Sequence, residues 1–320
     1  MDIYAEVLRA EKQIRQFIRE TPVDYIPRLS KDGGSQIFAK LENLQYTGSF
    51  KFRGAMNKIL ALSPEQLARG IIAASSGNHG AAVAYASSLL KAKSIIFVPT
   101  DTSLAKTELI HRYGGEVRYF GDDCGITETH ARDLAERQGL VYVSPYNDPD
   151  VISGQGTIAF ELHNQMQNID AVFVTVGGGG LVSGIAGYFR RVSPQTKIVG
   201  CLPENSPVMA ESMKAGKIVD VPVRETISDA TAGGIESGAI TFEMCRTLID
   251  EYVLVSEEEI KDAMYLFIEN QHMLIEGAAG VAVAGYLQQQ HRFEDQKVVL
   301  VICGANIGMS TLRTVLDQNK

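Results

Sequence analysis

Lys51 lies in Thr47-Gly48-Ser49-Phe50-Lys51-Phe52-Arg53-Gly54, between two phenylalanines and just after a Gly-Ser turn. Aromatic neighbours strip water from an ammonium, which lowers its pKa from an ordinary value of about 10.4 and makes the amine a usable nucleophile or base. The same residues also describe a solvated lysine following a common turn. Further on, Ser75-Ser76-Gly77-Asn78-His79-Gly80 precedes an Ala-rich segment with two hydroxyls, an amide and backbone N–H groups. Such a helix start suits a carboxylate, and it reads equally as a turn whose Ser76 and Asn78 only cap the helix. His79 by itself reads as a hydrogen-bonded structural histidine. In Val176-Gly177-Gly178-Gly179-Gly180-Leu181-Val182-Ser183-Gly184 the four glycines let backbone N–H groups converge on a phosphate at a helix N-terminus. The stretch is neither a dinucleotide fingerprint nor a triphosphate loop with its Gly-Lys-Ser/Thr. Ile302-Cys303-Gly304-Ala305-Asn306 follows an apolar run, at a place where ligands of open α/β sheets gather.

The elements that must position these residues alternate. Short β-branched runs at Ile95–Val98, Ala171–Val176, Ile198–Cys201 and Val298–Ile302 read as strands buried on both faces. Leu104–Tyr113, Glu128–Gln138, Thr157–Met166 and Glu257–Asn270 have helical spacing, as do Phe52–Leu62 and Ala81–Leu90 beside the first two motifs. Gly139 and Gly154 read as punctuation between elements. An apolar stripe of Ile3, Val7, Ile14, Phe17 and Ile18 predicts an opening helix that Thr21-Pro22 ends. The rhythm predicts an α/β fold with mainly parallel sheets. No low-complexity linker marks a domain boundary.

With 320 residues and 45% hydrophobic content the chain has ample core material, for about two structural units. Its formal net charge of −8, without a basic block interleaved with aromatics, excludes nucleic acid as a partner. The charged N-terminus is no signal peptide and no run reaches spanning length, so a cytoplasmic protein without membrane contact is expected. Cys124, Cys201, Cys245 and Cys303 are scattered without a CxxC pair, which argues for reduced thiols rather than zinc or disulfides.

Taken in order, SFKFRGA, SSGNHG, GQGT, VGGGGLVSG and CGAN resemble the fold type II pyridoxal-phosphate enzymes, in particular the serine/threonine dehydratase and serine racemase group, almost end to end. The resemblance implies a tryptophan synthase β-like α/β architecture of two open, mainly parallel twisted sheets flanked by helices. Residues 1–52 and 147–320 would form a large cofactor domain and 53–146 a small mobile one, with no C-terminal regulatory domain. It implies pyridoxal 5'-phosphate as cofactor, with Lys51 as the Schiff-base lysine. Phe50 would lie near the pyridine ring, Asn78 at the phenolic oxygen, Gly177, Gly178, Gly179, Gly180 and Leu181 around the phosphate, Cys303 at the ring nitrogen, and Gly234 and Asn306 in loops beside it. Ser75, Ser76, Asn78 and His79 would bind the substrate, and Ser76, opposite Lys51, would be the second acid/base. A thiol at Cys303 cannot hold a protonated pyridinium as an aspartate does, so prompt loss of a β-substituent is favoured over transamination.

The implied activity is deamination of L-threonine or L-serine to a 2-oxo acid and ammonia, in a homodimer or homotetramer. Serine racemisation, dehydration of 3-hydroxyaspartate, phenylserine or a hydroxyectoine-derived compound, and a catalytically silent binding protein are the alternatives. Leu202 stands where some relatives carry a cation-binding glutamate, so no metal is expected there, although Glu204 is close enough in sequence to supply a shifted ligand. Glu276, before Gly277-Ala278-Ala279-Gly280, reads either as a helix N-terminal charge or as a catalytic group.

Overall fold

The structure is a computed structural model that describes residues 1–317. Ten strands form its two sheets: β1 Val23–Tyr25, β2 Gln36–Leu41, β3 Ile71–Ala74, β4 Ser94–Val98, β5 Glu116–Tyr119, β6 Val141–Tyr142, β7 Ala171–Thr175, β8 Lys197–Pro203, β9 Glu251–Val255 and β10 Lys297–Ile302. The larger sheet has the order β1-β2-β10-β7-β8-β9 and the smaller the order β5-β4-β3-β6. Every pairing is parallel except β1 with β2, a three-residue edge. The four strands expected from β-branched runs are β4, β7, β8 and β10, and β7 is buried along its whole length, as helices on both sides of a parallel sheet require. The unforeseen β5 is mostly exposed, and β2 interrupts its apolar residues with Lys40.

Helices cover both sheets, and two begin earlier than apolar spacing suggests. Asp123 caps Cys124–Gln138 by accepting from the Ile126 amide at 2.9 Å. Asp148 caps Pro149–Gln165, with Pro149 in the first turn where its missing N–H costs nothing. Gly154 is therefore not punctuation but mid-helix. A Cβ there would come within 2.7 Å of the Arg53 carbonyl oxygen and the Gly54 Cα, so its lack of a side chain lets helices Lys51–Leu60 and Pro149–Gln165 touch backbone to backbone.

Beneath that contact lies a cluster of charges closed off from water. Arg53 is fully buried and grips Glu42 with two bonds of 2.7 and 2.8 Å and Glu161 with two of 2.8 Å. Lys40, equally buried, reaches Glu161 at 2.5 Å, and Arg15 closes on Glu161 at 2.7 Å. These bonds tie β2, the opening helix and Pro149–Gln165 to the first turn of Lys51–Leu60. The start of that helix is held again by an isolated bridge between Ser49 and Gly304, just beyond β10.

Three of the four chemical motifs follow the C-terminal end of a strand, whereas Lys51 opens a helix reached from β2 through a 3-10 turn at Glu42–Leu44. Ser75–His79 follows β3, Val176–Gly180 follows β7 and Cys303 follows β10. Separate apolar clusters support the sheets, one around Phe173, Tyr286 and Phe293 and another around Phe52, Ile96 and Val98. Among the described residues no helix is long and apolar enough to cross a membrane.

Candidate active site

A cavity of about 520 Å³ opens where the strand ends of the two sheets face each other, and Phe50, Lys51, Asn78, Gly177, Gly178, Gly179, Gly180, Leu181, Gly234 and Cys303 all line it. Lys51 begins its helix and sends Nζ inward, where it donates to the Pro145 carbonyl oxygen at 2.8 Å and sits 5.2 Å from the centre of the Phe50 ring. Burial pulls its pKa down to about 8, against the opposing pull of Cys303, Glu276 and Glu128. A freely solvated lysine is thereby excluded. Reaction of the cofactor-free protein with an aldehyde at this amine is expected to reach half its limiting rate near pH 8. A midpoint near that of an ordinary lysine, about 10.4, in rates followed by absorbance would contradict this.

Asn78, Glu276, Asn306 and Cys303 form one buried group. The Asn78 amide nitrogen donates to both Glu276 carboxylate oxygens at 2.8 and 2.9 Å, while its oxygen accepts from the Asn306 side chain at 2.7 Å. The Asn306 amide donates to Glu276 at 3.2 Å, and the Cys303 thiol is 4.0 Å from the same carboxylate. Burial raises Glu276 to about 7, with Asn78 opposing, and holds the Cys303 thiol well above its ordinary range. Cys303 is therefore a neutral thiol. Glu276 occupies the N-cap position of helix Gly277–Gln289 but makes no capping bond. Its carboxylate is turned to Asn78 and Asn306 rather than to the amides of that helix.

Ser75, Ser76 and His79 are not part of the cavity wall. Ser75 accepts from the Gly77 amide at 3.2 Å, and Ser75 and Ser76 keep partial exposure. His79 is buried, its ring 2.8 Å from the Val143 carbonyl oxygen, and burial first and Lys51 second push it down to about 3, so it is a neutral structural histidine. Helix Asn78–Leu89 has no side-chain cap. The capped-turn reading fails, and the first-turn amides stay available to an anion.

The glycine loop joins β7 to helix Gly180–Val192. Gly179 has φ +88°, a left-handed conformation that glycine adopts without strain. The amides of Gly177, Gly178 and Gly179 donate to no acceptor among the described residues. Tyr146, unforeseen from sequence, packs against the loop: a Cβ on Gly178 would come within 2.4 Å of its ring carbons. The Tyr146 hydroxyl accepts from the Glu236 amide at 2.9 Å. Glu128, Arg132 and Glu236 complete the far wall, also unforeseen, because charges on a helix and a loop carry no sequence signal of facing inward.

A family model for pyridoxal-phosphate dependent enzymes matches residues 14–304. The chain belongs to that family. It is 36% identical over 313 residues to an L-threonine ammonia-lyase of Thermotoga maritima, covering 98% of this chain and 78% of that relative. Processed threonine deaminase isoform 2 of Solanum lycopersicum superposes with a TM-score of 0.94 at 34% identity, covering 98% of this chain and 92% of that one. Maize serine racemase does so with 0.91 at 31%, covering 99% and 97%. The expected fold type II architecture is thus the observed one, and the cofactor of this pyridoxal-phosphate family is pyridoxal phosphate.

The residues present fit that group. Three unpaired glycine amides and a helix N-terminus suit its phosphate, and Lys51 supplies a primary amine with a depressed pKa for its aldehyde. Gly178→Ala is expected to push the Tyr146 ring out of place and weaken cofactor affinity at least tenfold, at a stability cost of about 1–3 kcal/mol. Fluorescence titration of the cofactor-free variant with pyridoxal phosphate measures this; an unchanged affinity would show that the ring and the loop are uncoupled.

Proposed function

We propose that this family member is an ammonia-lyase that converts L-threonine or L-serine to the corresponding 2-oxo acid and ammonia by α,β-elimination. The observation that carries the reading is the desolvated amine of Lys51, in a cavity whose strand-β10 wall offers the uncharged thiol of Cys303. When bound, pyridoxal phosphate supplies an electron-withdrawing ring that acidifies Cα–H and loosens the β-substituent. Cys303, assigned to the ring nitrogen, adds no negative charge there, which favours loss of the β-hydroxyl. Asn78 and Phe50 would hold the ring, with Gly234 and Asn306 in the loops beside it, and Gly177 to Leu181 would hold the phosphate. The uncapped amides after Ser75 and Ser76 bind the substrate carboxylate, and Asn78 lies beside them. His79 assists only by fixing that turn through Val143.

Lys51 takes the Cα proton, and the β-hydroxyl leaves as water with a proton from the site. The enamine so released takes up water and gives the oxo acid and ammonia. Purified cofactor-loaded protein is expected to form 2-oxobutyrate from threonine and pyruvate from serine. No oxo acid from either, nor from any other β-hydroxy amino acid, would sink the proposal.

A racemase activity at the same site is the second reading, favoured by the half-buried Ser76 at the uncapped start of helix Asn78–Leu89. In it Ser76 would turn to the substrate and exchange a proton on the face opposite Lys51. Chiral analysis of serine after incubation separates this from deamination. The same reading proposes residues 53–146 as a mobile small domain, a homodimer or homotetramer, and a cytoplasmic location. The ion pairs Lys106–Asp229 at 3.1 Å and Arg132–Glu236 at 2.6 Å cross the cleft and would break as it opens.

A further inference from the structure

Glu276 is a buried carboxyl to which the elimination assigns no step. It is 3% exposed and stands in the wall between two cavities, for with Asn306 it also lines a second one, of about 430 Å³, that Lys51 does not line. An ionised carboxylate only accepts, so its bonds of 2.8 and 2.9 Å fix the nitrogen of the Asn78 amide towards Glu276 and leave the oxygen towards Asn306, which donates at 2.7 Å. Asn306 is held in turn: its backbone amide donates to Glu276 at 3.2 Å and its side chain to the Thr47 carbonyl oxygen at 2.9 Å. The two oxygens of one carboxylate subtend too narrow an angle at the Asn78 nitrogen to occupy both of its hydrogens, so one remains for the cavity that Asn78 lines. Gly304 makes room for this arrangement, since a Cβ there would come within 2.5 Å of Glu276 Oε1.

Protonation upsets the arrangement. A carboxylic acid brings a donor to a place where Asn78 and Asn306 already bring theirs, and one of those bonds must open. The groups facing the carboxyl are Lys51, Cys303, Asn78, Asn306 and Asp229; burial first, and Asp229 with it, raise its pKa to about 7 against Asn78, Asn306 and Lys51. We propose that Glu276 is a positioning residue for the cofactor: ionised, it turns an N–H of Asn78 to the ring, and on protonation it lets that amide go. The role rests on the ring lying beside Asn78, as the ammonia-lyase reading places it, and is measured on the cofactor rather than on the product.

Absorbance of the holoenzyme, titrated through neutral pH, is expected to change with a midpoint near 7 in the parent and to lose that midpoint in Glu276→Gln. Fluorescence titration of the cofactor-free proteins with pyridoxal phosphate then completes a double-mutant cycle with Asn78→Ala. Glu276→Gln should weaken affinity about fivefold or more when Asn78 is present and less than about twofold when it is alanine, the coupling shown by neighbours in one hydrogen-bond network. A carboxyl that only filled space would weaken the cofactor equally in both backgrounds. Equal losses overturn the proposal, as does a parent without the midpoint or a Glu276→Gln variant that keeps it. Should Glu276→Gln not fold, Glu276→Asp serves the same cycle, because its shorter arm draws the charge back from Asn78. Coupling without oxo-acid release from any β-hydroxy amino acid defeats the lyase and leaves the positioning role standing, whereas oxo-acid release with equal losses does the reverse.

Discussion

Lys51→Ala is expected to release 2-oxobutyrate from threonine more than about 10⁴-fold more slowly than the parent, because one substitution removes both the cofactor's covalent anchor and the base at Cα. The loss should not come from unfolding. An unfolded lysine keeps its proton to about 10.4, whereas this one gives it up at about 8 in the fold. Between those values the unfolded chain binds more protons, so the parent's stability rises with pH across the window. Below it the folded state carries the full cost of a desolvated ammonium. The cofactor-free variant should therefore be at least as stable as the cofactor-free parent at pH 7, by denaturant unfolding. The parent should close that gap as pH rises from 8 towards 10. Turnover that persists in the variant would remove Lys51 from the mechanism altogether.

Arg53→Met should produce the largest stability loss. The guanidinium is inaccessible to water and holds Glu42 and Glu161 through four bonds. Its removal leaves two carboxylates in the interior, opposed only by Lys40 and the partly exposed Arg15. Breaking one side of such a network costs about 3–5 kcal/mol, a fall in Tm on the order of 10 °C for a chain of this size. Arg53→Lys should recover little, because a point charge cannot make the paired bonds to Glu42. Both variants are read by thermal unfolding of the holoenzyme. Loss of less than about 1 kcal/mol would mean that the interior relaxes around the vacancy. Arg53 lies two residues beyond Lys51, so any variant that folds should also show a displaced amine, seen as a shifted cofactor absorbance.

Most of the site's chemistry was legible because it hangs on backbone behaviour that sequence reports directly. Glycines before a helix, hydroxyls at a helix start and β-branched runs ending in Cys303 each name a conformation as well as a residue. The side chains that were not legible are charged: nothing in the local sequence sets Lys40, Arg53 and Glu161 apart from solvated charges, and their burial depends on partners far apart in the chain. Glu128, Arg132 and Glu236 escaped for the same reason. Gly154 differs in the other direction, since a turn-forming residue carries a local meaning that packing overrides, whereas His79 is the hydrogen-bonded structural histidine its residue type suggests. Helix starts at Cys124 and Pro149 were missed because the aspartate caps outweighed apolar spacing there.

Strand β10 lies between β2 and β7, near the middle of the larger sheet, yet seven strands, β3 to β9, separate it in sequence from its neighbour β2. On a ribosome β2 must wait for that neighbour while everything between them is made, with one edge unpaired and open to misassembly. Gly304 cannot steady Ser49 until then. Capture of the coenzyme is consequently tied to synthesis of β10, and nascent fragments ending before it should be clients of chaperones rather than early holoenzyme.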